Sequence, residues 1–225
     1  SRRIPACWRT MRRAAEAAGF DTFTFPDSIC YPKEGSDVYP YNDDGTREFL
    51  DGVPFLEPFI AIPYLAAKTE KLRFTTSVIK LAIRQPVIVA KQLSSLGVMI
   101  GDRFGFGVGI SPWPEDFLAC QIPWENRGKR MDEMMEIING LMSGDYFGYD
   151  GEIFQLAPLK LCPVPDHHIP LLVGGHAKPA LRRAAKLGDG WISAGSSLME
   201  LQQMIGAIQT LRKEYGRDHL PFEYH

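Results

Sequence analysis

The chain has 225 residues, 45% of them hydrophobic and 23% charged, with a formal net charge of −2. This is the balance of an ordinary soluble globular chain with a sizeable core, and it makes no electrostatic case for nucleic acid or an anionic membrane surface. Cys7, Cys30, Cys120 and Cys162 form no Cys-x-x-Cys pair, and no apolar run reaches the roughly 18 residues of a membrane span. The expectation is therefore a reduced, cytoplasmic protein without a metal or disulfide framework.

The predicted elements alternate. Residues 7–18 put Cys7, Met11, Ala14, Ala15 and Ala18 on one helical stripe, stopped by Gly19. A strand over 22–25 ends at Pro26-Asp27-Ser28, and a long polar loop, 29–54, follows. Loops of this length in compact domains are usually functional or mobile. Then come a helix over 57–68, a strand over 73–79, a helix over 86–99 opened by Pro86, and a strand over 103–109. After the loop 110–114, a helix over 125–142 carries Met131, Met134, Met135, Ile138 and Leu141 on one face and reads as core. Residues 144–169 read as an irregular or hairpin insertion. A strand at 170–173, a helix at 177–187, a strand at 190–194, a helix at 198–215 and the start of a strand at 222–224 complete the series.

Strands alternating with helices pair in parallel, because a crossover helix returns the chain to the same edge of the sheet. The series fits one α/β domain over 1–225 with an insertion at 144–169. The expected form is a TIM (β/α)8 barrel with its first and last strand units missing from this chain. An open doubly wound sheet is the competing arrangement.

Residues 170–191, PLLVGGHAKPALRRAAKLGDGW, place two glycines between an apolar run and a helix. Unpaired N–H groups and a helix dipole then meet at one point with no Cβ in the way, which is a site for a phosphate. Gly174, Gly175, His176 and Ala177 would hold it, and Gly195 and Ser196 would close it from one side. Arg182, Arg183 and Lys186 read as solvated or as paired with acids of a neighbouring helix. Gly105-x-Gly107-x-Gly109 is not a dinucleotide fingerprint, since Ser111-Pro-Trp-Pro follows where a helix should open. The glycines instead let a flat ring approach the strand end. Asp27 stands at a strand end, where a barrel keeps its chemistry, or serves as a helix cap or Asx turn. Lys80 either faces the barrel mouth, to meet phosphate or an acidic substrate, or is a solvated loop residue. Glu115 and Asp116 read as helix-start charges. His167-His168 has no partner at zinc-ligand spacing, and no Gly-x-Ser-x-Gly elbow supports a serine hydrolase.

Six segments carry a resemblance: AAGFDTFTFPD at 17–27, LRFTTSV at 72–78, RQPVIVAKQL at 84–93, DRFGFGVG at 102–109, RGKRMDE at 127–133, and GG at 174–175 with GDGW at 188–191. In these the chain resembles the luciferase-like monooxygenase family of (β/α)8 barrels, and most of all its branch that uses the deazaflavin coenzyme F420. The resemblance implies a cofactor at the barrel mouth, F420 or alternatively FMN, with a small organic substrate and a homodimeric assembly. It implies that Asp27 bonds the cofactor ring and that Ser77-Val78 forms a bulge with a non-proline cis peptide behind the ring. It also implies cofactor contacts at Ile110 and Ser111. Where similar deazaflavin enzymes have a proton-transferring histidine, this chain has Ser28, and near their catalytic glutamate it has Pro112. An FMNH2-dependent monooxygenase and a non-catalytic flavin-binding relative are the alternatives. Tyr31, Tyr39, Tyr41 and Phe49 of the long loop, together with the 144–169 insertion, are expected to meet a planar or apolar substrate.

Overall fold

The computed structural model of the protein describes residues 14–35, 39 and 45–225. Among them, short apolar runs punctuated by Gly, Pro and Asp become strands. These are β1 (Thr22–Phe25), β2 (Arg73–Thr76), β3 (Ile79–Lys80), β4 (Phe104–Gly109), β5 (Phe147–Asp150), β6 (Gln155–Leu159), β7 (Leu171–Gly174), β8 (Gly190–Ile192) and β9 (Glu223–Tyr224). The order β1-β2-β4-β7-β8-β9 is parallel throughout, with β3 extending β2's path alongside β4. Helices return the chain between strands: α1 (Pro58–Ala66), α2 (Pro86–Ile100), α3 (Pro114–Ala119), α4 (Arg127–Leu141), α5 (Lys178–Leu187) and α6 (Leu198–Glu214). Pro58, Pro86 and Pro114 each open a helix, where a missing N–H costs nothing.

One ion pair decides between an open sheet and a barrel wall. Arg73 on β2 and Glu223 on β9 stand four strand spacings apart, about 19 Å in a flat sheet. That is further than the two side chains reach end to end. Yet the Arg73 guanidinium donates to both Glu223 carboxylate oxygens, at 2.9 and 3.0 Å. The sheet is therefore curled, as in a TIM barrel, with this pair inside the curl.

The two faces of β4 divide the molecule. Phe104, Phe106 and Val108 point outward and are buried with Leu171, Val173 and Trp191 against Met131, Met134, Met135 and Ile138 of α4. Burying each such side chain contributes about 1.5–3 kcal/mol. Gly105 and Gly107 point inward. A Cβ on Gly107 would overlap the Thr76 carbonyl oxygen, and Thr76 Oγ1 donates to the Gly107 carbonyl at 2.7 Å. These glycines thus serve the close approach of strands, and the space at Gly107, which the sequence assigned to a cofactor, is filled by the β2 backbone.

The 144–169 insertion contains the antiparallel hairpin β5–β6. Glu133 of α4 is buried and accepts from the backbone N–H groups of Glu152, Ile153 and Phe154 at 3.0–3.3 Å, fixing the hairpin turn to the helix. Of the expected helix over 7–18, residues 7–13 lie outside the described residues. Among the described residues no helix is long and apolar enough to cross a membrane.

Candidate active site

The C-terminal ends of β1, β2, β4, β7 and β8 surround a cavity of about 240 Å³, a bowl at the barrel mouth. Asp27, Ser28, Ser77, Val78, Lys80, Gly109, Ile110, Ser111, Gly174 and Gly175 all line it, joined by Tyr39, Leu50, Phe55, Trp113 and Ile192. The Ser77–Val78 peptide is cis. A Cβ on Gly109 would lie 2.5 Å from one Val78 methyl, and a Cβ on Gly174 would lie 2.7 Å from the other. Both glycines are thereby required, because they make room for the Val78 isopropyl group between β4 and β7.

Two buried ion pairs ring the bowl. Arg84 Nη2 donates to both oxygens of Asp27 at 2.8 and 2.9 Å, and the Lys80 backbone N–H adds a third bond at 2.9 Å. Lys80 Nζ donates to Asp116 Oδ2 at 2.7 Å and stands 4.6 Å from the centre of the Trp113 ring. The Ser111 hydroxyl donates to the same Asp116 oxygen, and the Trp113 backbone N–H donates to Ser111 Oγ at 3.1 Å. Arg47 pairs with Glu115 at 3.3 Å and stands 5.2 Å from the centre of the Trp113 ring, against which Tyr39 also stacks. These contacts correct two expectations. Lys80 is not solvated: it faces the mouth, as one of its two readings had it, but paired with an acid, and Glu115 and Asp116 are not merely helix-start charges. A buried ammonium requires a buried counter-charge, and the first turn of α3 supplies it.

A second cavity of about 500 Å³ adjoins the first, sharing Ile110, Ser111, Pro112, Gly174 and Gly175 with it. It runs to the N-terminus of α5, past His176, Ala177, Arg127 and Arg183. Ala177 is the N-cap residue of α5 and offers no side-chain acceptor, and no acid lies in the first turn. Pro179 has no N–H, and Ala180 and Leu181 donate to the Ala177 carbonyl at 2.8 and 3.2 Å, so the Lys178 N–H and the positive end of the helix are what stay open to an anion. Gly175 has φ +117°, a conformation that favours glycine, and its carbonyl accepts from Trp191 Nε1 at 2.9 Å. His176 Nε2 accepts from the Ala194 N–H at 2.8 Å, which ties the loop after β8 to the loop after β7. Burial holds the His176 pKa below the ordinary histidine value, against the opposing charge of Glu200. Arg183 is not solvated; it pairs with Asp132 of α4 and donates to the Gly128 carbonyl at 3.1 Å.

The residues 8–224 match the profile of the luciferase-like monooxygenase family. The chain belongs to that family. An uncharacterized protein of Mycobacterium tuberculosis is 50% identical to it over 215 residues, 96% of this chain and 74% of the relative. Two solved structures share the fold. An F420-dependent secondary alcohol dehydrogenase in complex with an F420–acetone adduct has a TM-score of 0.76 at 21% identity, covering 100% of this chain and 64% of that one. A riboflavin lyase with modified FMN and riboflavin has a TM-score of 0.80 at 20% identity, covering 97% of this chain and 54% of that one. This luciferase-like chain thus spans little more than half to just under two thirds of those structures. Luciferase-like proteins are oxidoreductases and monooxygenases, and members use F420 or FMN.

Some sequence expectations for this luciferase-like site fall elsewhere. Gly195 is exposed, and neither it nor Ser196 lines either cavity. No residue of 144–169 lines the bowl; the hairpin rests on α4 instead, so it is not positioned to choose a substrate there. Tyr31 is exposed and lines neither cavity; Tyr41 and the Phe49 side chain lie outside the described residues. Conversely, Arg84, Trp113 and Arg127 line or brace the cavities without having been singled out as site residues. A usable signal existed for Arg84. It and Lys80 bracket the buried run Leu81-Ala82-Ile83, so two cations at a strand end needed acids from other strand ends.

Proposed function

We propose that the chain is an oxidoreductase that holds coenzyme F420 at the carboxyl rim of its strands and exchanges a hydride between it and a small organic substrate. The observation that carries this reading is the pair of joined cavities, one floored by Val78 and the other ending at the uncapped N-terminus of α5. A flat ring with a phosphate-bearing tail needs both, and the donor set fits it. Val78, Ile110 and Ser111 would hold the ring, and the backbone from Gly174 to Ala177 would hold the phosphate. When bound, the deazaflavin supplies a two-electron hydride couple.

The chain's own share is orientation and exclusion of water. Arg84 keeps the Asp27 carboxylate in place as an acceptor, Trp113, Leu50 and Phe55 wall the bowl, and His176 fixes the two loops beside the tail. Ser28 cannot act alone as a base near neutral pH. The absence of the histidine expected beside a deazaflavin motivates a non-catalytic flavin-binding relative, while the second enzymatic reading is an FMNH2-dependent monooxygenase. F420 and FMN titrated separately into the protein decide between them. A cofactor at about 1,000 times its dissociation constant should raise stability by about 4 kcal/mol, visible as a melting shift. F420 binding with hydride exchange against alcohols, aldehydes or enones supports the first reading, and FMN binding with oxygen uptake supports the second. F420 binding without exchange would make the chain a non-catalytic binder, and binding of neither would overturn both readings.

A further inference from the structure

We propose that Arg127 sets the specificity of the tail cavity by pairing with a second acidic group, one that the cofactor carries beyond its phosphate. The assignment deepens the function proposed above and rests on that cavity holding the phosphate.

Arg127 is the first residue of α4, where a cation opposes the helix dipole, and the first turn has neither an acid nor a side-chain cap to offset it. The other two cations of that turn are accounted for. Lys129 pairs with Glu152 at 2.6 Å, and Arg130 donates to the carbonyls of Ala82 and Arg84 at 2.8 and 3.3 Å. Arg127 has no carboxylate partner among the described residues. Its one hydrogen bond there is a long one, from Nη1 to the Trp124 carbonyl at 3.4 Å. Its guanidinium carbon stands 3.7 Å from the centre of the Trp124 ring, so the indole braces the group. Nε and Nη2 hold no protein partner and are not buried. These two nitrogens form one edge of the guanidinium, a rigid fork that matches the two oxygens of a carboxylate or phosphate.

Arg127 and Trp124 both line the cavity of about 500 Å³ that ends at α5. No acid lines it. Of its other titratable wall residues, Arg183 is matched by Asp132, and His176 is engaged with the Ala194 N–H. Arg127 is therefore the unmatched cation of this wall, unlike Lys80 and Arg84 in the bowl, which each face an acid. The Lys178 N–H and the backbone beside it serve one anion, which leaves the fork for another. The cavity has about twice the volume of the bowl, room for a tail that continues past its phosphate. F420 carries carboxylates on such a tail, whereas FMN ends at its phosphate.

The test compares the affinities of four ligands by calorimetry: F420, the 5′-phosphate of its deazaflavin riboside, FMN and FAD. The riboside phosphate has the ring and the phosphate of F420 with nothing beyond. The wild-type chain should bind F420 about tenfold more tightly than the riboside phosphate, the value of one charge-assisted pair, and added salt should narrow the gap. Arg127→Gln should remove the gap while leaving melting temperature and affinity for the riboside phosphate unchanged, and Arg127→Lys should keep part of it. A gap absent from the wild type, a gap intact in Arg127→Gln, or an equal loss for both ligands would overturn the proposal. FMN and FAD separate its failure from that of the F420 reading. If neither deazaflavin binds, but FAD with its second phosphate outbinds FMN only when Arg127 is present, the F420 reading fails and the role of Arg127 stands. FAD binding no tighter than FMN in that case, or binding of none of the four, would overturn both.

Discussion

Asp116 and Glu133 are both acids on helices, and both are 2% exposed, yet they do different work. Glu133 accepts from three consecutive backbone N–H groups of a hairpin turn. Those donors cannot move or titrate, and the carboxylate acts as a peg between α4 and β5–β6. Asp116 accepts from two side chains, Lys80 and Ser111, at the wall of a cavity. Of these two donors, the Ser111 hydroxyl has spent its one O–H, while the Lys80 ammonium has N–H groups beyond the one it gives Asp116. Burial of charge therefore does not mark a site by itself; what marks it is whether the partners of that charge still face open space.

The largest expected effect separates these two carboxylates. Lys80→Met leaves Asp116 buried without its cation and should cost about 3–5 kcal/mol in urea unfolding. Adding Asp116→Leu should return most of that loss. An unchanged midpoint for the single variant would show that Asp116 is hydrated or protonated, and would break the comparison. Glu133→Ala should cost about 2–3 kcal/mol by stranding turn N–H groups, and should speed hydrogen exchange at residues 152–154. If exchange at those residues stayed unchanged, Glu133 would not be the peg that holds the turn.

A smaller effect sharpens the contrast at the tail cavity. Ala177→Asp gives α5 the acceptor it lacks, so the helix should gain about 0.5–1 kcal/mol. The same carboxylate occupies the anion position, so affinity for a phosphate-tailed cofactor should fall about tenfold. A rise in melting temperature with unchanged cofactor affinity would place the phosphate elsewhere.

The smallest effect lies at the opposite end of β7. His168 pairs with Asp189 at 2.8 Å, and that hydrogen bond raises the His168 pKa. Burial pushes Asp189 up, but His168, the Leu171 N–H and Arg217 more than offset it and hold its carboxyl below the usual value. The raised histidine stabilises fully below about pH 6.5 and loses this contribution as pH rises through its folded value. The lowered carboxylate stabilises above about pH 4 and loses its contribution as pH falls through its folded value. The pair should thus support the fold most between about pH 4 and 6.5. Because His168 is largely exposed, His168→Ala should flatten melting temperature against pH by only a degree or two. A curve of unchanged shape would show that the pair contributes nothing.

Much of the barrel was legible because its signals are local. The strand expected over 170–173 is Leu171–Gly174, the helix over 177–187 is Lys178–Leu187, and the helix over 198–215 is Leu198–Glu214. Proline at helix starts and glycine at stops act within a few residues, and alternation of strand and helix dictates parallel pairing. The strand over 73–79 is the exception, broken at the cis Ser77–Val78 peptide into β2 and β3. The pairings that shape the bowl were not legible. Lys80 and Asp116 are 36 residues apart, and Asp27 and Arg84 are 57 apart. Each is an ordinary surface-type residue to local pattern, and only the convergence of strand ends brings them into one wall. Gly107 misled for the same reason. Its sequence context reads as room for a ligand, whereas the space it leaves is filled by the β2 backbone.

The most direct measurement is a crystal structure of the chain with F420, and in parallel with FMN. The account predicts the ring in the bowl beside Val78 and a phosphate oxygen within hydrogen-bond distance of the Lys178 N–H at the start of α5. A cofactor bound outside those two cavities, or with its phosphate away from Gly175–Ala177, would contradict it.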